Sequence, residues 1–159
     1  MRDLFLPELE YKGIVLDGNQ LSIEEIENFL FNLLNANISA FWIAIDESFD
    51  KVFGNKNPDS KSSTDDFRAI VYILRCAFAH EISKPTWNIK PKYQKIYTLA
   101  IPLEFTNGLI EQFYFDFSVL NGERVKTQDF KHLPGLIALK KLACQILMEE
   151  VNKIETPVF

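Results

Sequence analysis

The spacing of apolar residues changes once along this chain, and that change limits it to a fold mixing helix with strand. Ile26, Phe29, Leu30, Leu33, Leu34, Ile38, Phe41, Trp42 and Ile45 recur every three or four residues. Phe67, Ile70, Val71, Leu74, Ala77 and Phe78 repeat that period, as do Leu136, Leu139, Leu142, Ala143, Ile146 and Leu147. Between them, Tyr97, Leu99, Ile101, Leu103 and Phe105, then Phe113, Phe115 and Phe117, alternate with period two. The expected class is therefore α+β: a helix-rich domain with helices near 22–47, 64–81 and 134–152 and an antiparallel β-hairpin near 97–117. At 159 residues the chain is expected to form a single domain, 1–159.

Local signals refine the boundaries. Ser22 and Glu25 form a capping box, in which the serine hydroxyl and the carboxylate each satisfy a free amide. Asn28, Asn32, Asn35 and Ser39 are expected on the solvent side of the first helix. Residues 1–20 read as irregular, with a short strand at 13–16 and a turn at Asp17-Gly18-Asn19. Residues 50–63 read as a loop. Ser63 or Thr64, followed by Asp65 and Asp66, suits the positive end of a second helix, and Pro85 forbids its continuation. Pro134 suits the start of the third helix. In the hairpin a three-residue loop, Thr106-Asn107-Gly108, pairs Tyr97 with Phe117, Leu99 with Phe115 and Ile101 with Phe113. That register puts both apolar rows on one face and Gly108 in the left-handed region. Pro102 marks an edge or a bulge.

Composition excludes several classes of protein. Hydrophobic residues make up 47% of the chain, enough for a core and too many for a disordered segment. Two cysteines, Cys76 and Cys144, make no disulfide framework. With His80 and His132 as the sole histidines, no metal site and no cofactor are expected. Continuous apolar runs such as Phe41–Ile45 are far shorter than a bilayer requires, and the first residues lack the apolar run of a signal peptide. The expectation is a cytoplasmic protein without membrane association.

Charge is uneven. Residues 1–50 hold two basic and ten acidic side chains, whereas residues 51–103 hold nine basic and four acidic. A basic surface on an acidic protein can still attract an anion.

The candidate chemistry lies at the end of the second helix. With Arg75 at zero on a helical wheel, Arg68 falls near about 20°, Tyr72 near about 60° and His80 near about 140°, while the apolar centre lies near about 250°. Arg68, Tyr72 and Arg75 thus form a polar stripe with His80 at its border. Arginine offers a planar donor fork to phosphate oxygens, and histidine exchanges protons near neutral pH.

The segment Ile73-Leu74-Arg75-Cys76-Ala77-Phe78-Ala79-His80, an arginine and a histidine with four residues between them at the end of an amphipathic helix, resembles the motif of the HEPN superfamily. The likeness covers residues 22–80 and, loosely, the last helix. It implies a compact domain that works as a homodimer. It also implies a metal-independent endoribonuclease with Arg75 and His80 as catalytic residues. Two departures stand out: Cys76 occupies a position where the family often has a polar Asn, and the hairpin has no place in an all-helical family core.

The next segment adds a nucleic-acid expectation. No acid occurs between Glu81 and Glu104, while Lys84, Lys90, Lys92 and Lys95 lie among Trp87, Tyr93 and Tyr97. Lysines track a phosphate backbone and aromatics stack on unpaired bases. Arg68, Tyr72, Lys84, Trp87, Lys90 and Lys92 are therefore the candidate RNA contacts. The alternative is a non-catalytic nucleic-acid, nucleotide or protein-binding module in which Arg75 and His80 are structural, with Arg75 bridging to an acid of the first helix.

Overall fold

The computed structural model describes residues 9–11, 14–16, 22–56, 62–105 and 108–155. It is α+β and helix-rich, as the change of period requires. The order is β1 (Leu9–Tyr11), β2 (Ile14–Leu16), α1 (Ile23–Phe53), α2 (Ser63–Ala79), β3 (Ile96–Thr98), β4 (Leu103–Glu104), β5 (Ile110–Glu111), β6 (Tyr114–Asp116) and α3 (His132–Glu155). The chain divides into two compact units, Met1–Leu34 and Asn35–Phe159.

In the first unit β1 and β2 pair antiparallel, Leu9 opposite Leu16 and Tyr11 opposite Ile14. The strand expected near 13–16 thus has a partner that the sequence reading left irregular; the Asp17-Gly18-Asn19 turn lies outside the described residues. The capping box forms as expected: Ser22 N donates to Glu25 Oε2 at 2.7 Å, and Glu25 N donates to Ser22 Oγ at 3.2 Å. The Ser22 amide and, at 2.8 Å, the Ser22 hydroxyl both donate to Glu25 Oε2 and so lower the pKa of its carboxyl. The apolar row on this half of α1 is exposed rather than buried, including Ile23, Leu30, Phe31, Leu33 and Leu34. By length and composition α1 is also apolar enough to cross a membrane.

The second unit holds the core. Here the buried face of α1 is set by Asn35, Ser39, Trp42, Ile45, Asp46 and Phe49. Asn35 and Ser39, expected in solvent, are inside; Asn35 Nδ2 donates to Ile82 O at 3.0 Å, which satisfies the buried amide. The helix runs six residues past its expected end near 47 and stops at Gly54, whose φ of 74° admits the left-handed turn. The predicted loop at 50–63 therefore begins later; residues 57–61 lie outside the described residues.

Helix α2 is the centre of the unit. Phe67, Ile70, Val71, Ile73, Leu74, Ala77 and Phe78 are all buried, each large side chain contributing about 1.5–3 kcal/mol. Burial also extends to Arg68 and Cys76, so this helix has no continuous solvent stripe.

The hairpin combines the expected loop with an unexpected register. Near the turn, Phe105 N donates to Leu109 O at 2.8 Å and Gly108 takes φ 79°, consistent with three loop residues. Leu103 faces Glu111. Farther out, Tyr97 faces Phe115, not Phe117, and Leu99 N donates to Phe113 O at 2.9 Å. Three residues, Ala100, Ile101 and Pro102, thus stand opposite Gln112 alone. The Gln112 side chain donates to the Leu99 carbonyl at this break in the ladder. Ile101, expected on the inner face, is 47% exposed because it sits in this bulge. Pro102, with no amide to donate, marks the place.

Helix α3 begins at His132, two residues earlier than expected, where Lys131 and His132 take φ of 53° and 63°. Gly135 lets the chain pass there, since a Cβ would lie 1.6 Å from the Phe130 carbonyl oxygen.

Candidate functional site

Acids placed one turn apart near the end of α1 face α2, and one of them, Asp50, pairs with Arg68. Asp46 and Asp50 both project toward α2, whose own first turn supplies Asp65. Arg68 lies among them, 2% exposed. Its Nη1 is 3.2 Å from Asp65 Oδ1, its Nη2 is 3.3 Å from Asp50 Oδ1, and it also donates to the Gly54 carbonyl. Arg68 is thereby removed from the list of RNA contacts: its charge is already matched inside the fold.

Lys56, which sequence reasoning passed over, completes the network. Its ammonium reaches Asp50 at 2.6 Å and Asp46 at 3.0 Å. The contact to Asp46 is an ion pair without a directed hydrogen bond on Oδ1. Burial pushes the Asp46 carboxyl above the usual aspartate value, against the downward pull of Lys56 and, more weakly, of Arg75. The sequence shows Asp46 and Asp50 at i and i+4, one face of a helix, but does not show which cations they meet.

The other end of α2 differs. Arg75 is half-buried and, among the described residues, no carboxylate lies within ion-pair distance of it. Its charge is felt at Asp46, in line with the bridge to the first helix weighed from sequence, but at longer range. His80 follows the last helical residue with φ −85° and is exposed, with no hydrogen-bond partner among the described residues. Helix α2 ends there because Thr86 N takes the Ala77 carbonyl at 3.3 Å and Pro85 is packed inside.

The segment after His80 separates its candidates. Trp87 is 1% exposed, packed on Phe117 and Phe130 at 5.4 and 5.6 Å, and its indole donates to Asp129 Oδ2 at 2.9 Å. Stacking on a base needs a free ring face, so Trp87 is a core residue. Lys84, Lys90 and Lys92 remain exposed. Lys90 lies over the Tyr72 ring at 5.5 Å and Lys92 over Tyr93 at 5.1 Å. Hydrogen bonding and charge attraction to the Tyr72 phenol raise the Lys90 pKa, so its ammonium stays charged. Tyr72 is half-buried with Tyr93 5.1 Å away.

The structure thus leaves Arg75, His80, Lys84, Lys90 and Lys92 open to solvent in whole or part, keeps Tyr72 at the surface between lysines, and takes Arg68 and Trp87 inside. Among the described residues no three His, Cys, Asp or Glu side chains gather in a way that could hold a metal ion. The chain matches no family model, no curated protein and no solved structure.

Proposed function

We propose that this chain is a HEPN-like, RNA-directed domain that acts as a metal-independent endoribonuclease, with Arg75 and His80 forming one half-site and a second copy of the chain supplying the other. The observation that carries the reading is the contrast along α2. Arg68 is buried and matched by carboxylates, while Arg75 and His80 stand at the open end without such partners. A side chain kept free of internal partners retains its donors for a ligand.

In this reading His80 takes the proton from a ribose 2′-hydroxyl as the 2′-oxygen attacks phosphorus. Arg75 stabilises the charge that builds on the non-bridging oxygens. The leaving 5′-oxygen collects a proton from the protonated histidine of the facing half-site. The products are a 2′,3′-cyclic phosphate and a 5′-hydroxyl.

The test is cleavage of single-stranded RNA by purified protein in EDTA. His80→Ala and Arg75→Ala are expected to lower the rate by about 100-fold or more, with the circular dichroism spectrum unchanged. Full activity in both variants removes the proposal. A second reading, a non-catalytic binding module, draws on the influence of Arg75 on buried Asp46. It is favoured if the wild-type protein binds RNA with strong salt dependence but never cuts it.

A further inference from the structure

Two cationic side chains lie over Tyr72, and a third follows one turn along the helix. Lys56 lies 5.3 Å and Lys90 5.5 Å from its ring centroid. Arg75 is three residues on, the spacing that puts two helical residues on one face. The Tyr93 ring packs 5.1 Å away. A base has no free face to stack on, so the group that Tyr72 can offer a ligand is its phenol hydroxyl.

The three cations differ in what they have left to give. Lys56 is held by Asp46 and Asp50, with its side chain 12% exposed. Lys90 is exposed, and the groups that act on it are Tyr72, Cys76 and Tyr93, none of them a carboxylate. Tyr72 and Cys76 flank Arg75 along α2, so a lysine and an arginine without carboxylate partners among the described residues serve the same stretch of helix. No acid occurs between residues 82 and 103 to neutralise them from the adjoining chain.

We propose that the Tyr72 hydroxyl, Lys90 and Arg75 form a phosphate-binding subsite for a strand of RNA, with Lys56 fixed behind Tyr72 by Asp46 and Asp50. The subsite rests on the RNA reading of the Arg75–His80 half-site and extends it. Tyr72 precedes His80 by eight residues, about 12 Å along the helix axis. A phosphate held at Tyr72 therefore belongs to the same strand as the one at His80 but is not adjacent to it, and Arg75 lies between the two. The subsite reads the backbone and not the base, because its donors all address phosphate oxygens.

The experiment uses a short fluorescein-labelled oligodeoxynucleotide, which lacks the 2′-hydroxyl and so reports binding without cleavage. Fluorescence anisotropy is measured over a series of salt concentrations for the wild type, Lys90→Gln, Lys90→Arg and Tyr72→Phe. Lys90→Gln is expected to weaken binding and to reduce the salt slope by about 0.7, the value for one phosphate contact on a single strand. Lys90→Arg is expected to restore both. Tyr72→Phe keeps the ring and its packing, and is expected to weaken binding with the slope unchanged, since a hydroxyl releases no counterion.

Wild-type affinity and slope in Lys90→Gln would overturn the subsite, as would an absence of binding by the wild type. The same proteins are then given RNA. Cleavage by a protein whose Lys90→Gln variant binds normally sinks the subsite and leaves the nuclease standing. Binding that depends on Lys90 without any cleavage does the reverse.

Discussion

At its N-terminal end α2 carries an arginine matched by carboxylates, and at its C-terminal end it carries an arginine and a histidine that are not. The helical wheel puts Arg68 and Arg75 within about 20° of one another, so the helix presents them in almost the same direction. What differs is the opposite wall. Arg68 meets Asp50, Asp65 and the Gly54 carbonyl where α1 ends. Arg75 has only the longer-range influence of Asp46, whose nearer cation is Lys56. Direction on a wheel is a property of one helix; commitment of a charge is a property of two.

Three variants break or sharpen this contrast. The largest change in stability is expected for Arg68→Ala. Removing a buried cation leaves its carboxylates facing one another, which costs about 3–5 kcal/mol for a fully buried pair. Asp50 is half-exposed and Asp65 partly so, and solvent reduces the loss to about 2–3 kcal/mol. Urea unfolding measures it, and a loss no larger than that of Arg75→Ala would erase the distinction between the two ends.

Arg75→Ala is expected to cost less than about 1 kcal/mol of stability, but to change its pH dependence. Burial raises the Asp46 pKa in the folded state, so the native protein binds this proton more tightly than the unfolded chain does. Stability therefore falls as pH rises from the ordinary aspartate value of 3.8 through the raised one, and is level beyond it. Arg75 pulls that pKa down. Without it the decline extends to higher pH, and combining Arg75→Ala with Asp46→Asn abolishes the decline. An identical pH profile for Arg75→Ala and wild type would show that Arg75 does not act on Asp46.

His80→Ala is the smallest stability effect, within about 0.5 kcal/mol at neutral pH. The side chain is exposed and bonds nothing within the described residues. Thermal melts that instead drop by several degrees would place His80 among the structural residues.

What could be read from sequence follows the range of the interactions involved. The Ser22–Glu25 box was legible because both partners lie within one turn. The α+β class and the Gly108 turn were legible from period and loop chemistry. Trp87 was not, because an indole amid lysines looks like a surface platform until Phe117, Phe130 and Asp129 close around it. Arg68 was assigned to solvent because its wheel position is polar, and the acids that bury it sit on another helix. The first half of α1 failed in the opposite sense: its apolar spacing was clear, but Ile23, Leu30 and Phe31 are left outside. Lys56 went unseen since nothing in a loop predicts which acids it will reach.

The break at Ala100–Pro102 carries a rule of parity. The strand has two surplus residues there, an even number, so Tyr97 and Leu99 on one side point the same way as Leu103 and Phe105 on the other. One residue more or fewer would turn the outer half of the strand over, sending Tyr97 and Leu99 to solvent and Thr98 inward. Removing two would close the ladder and keep every inward side chain inward. This stretch of chain is therefore expected to accept changes of length in steps of two, each step leaving the inward row of side chains inward.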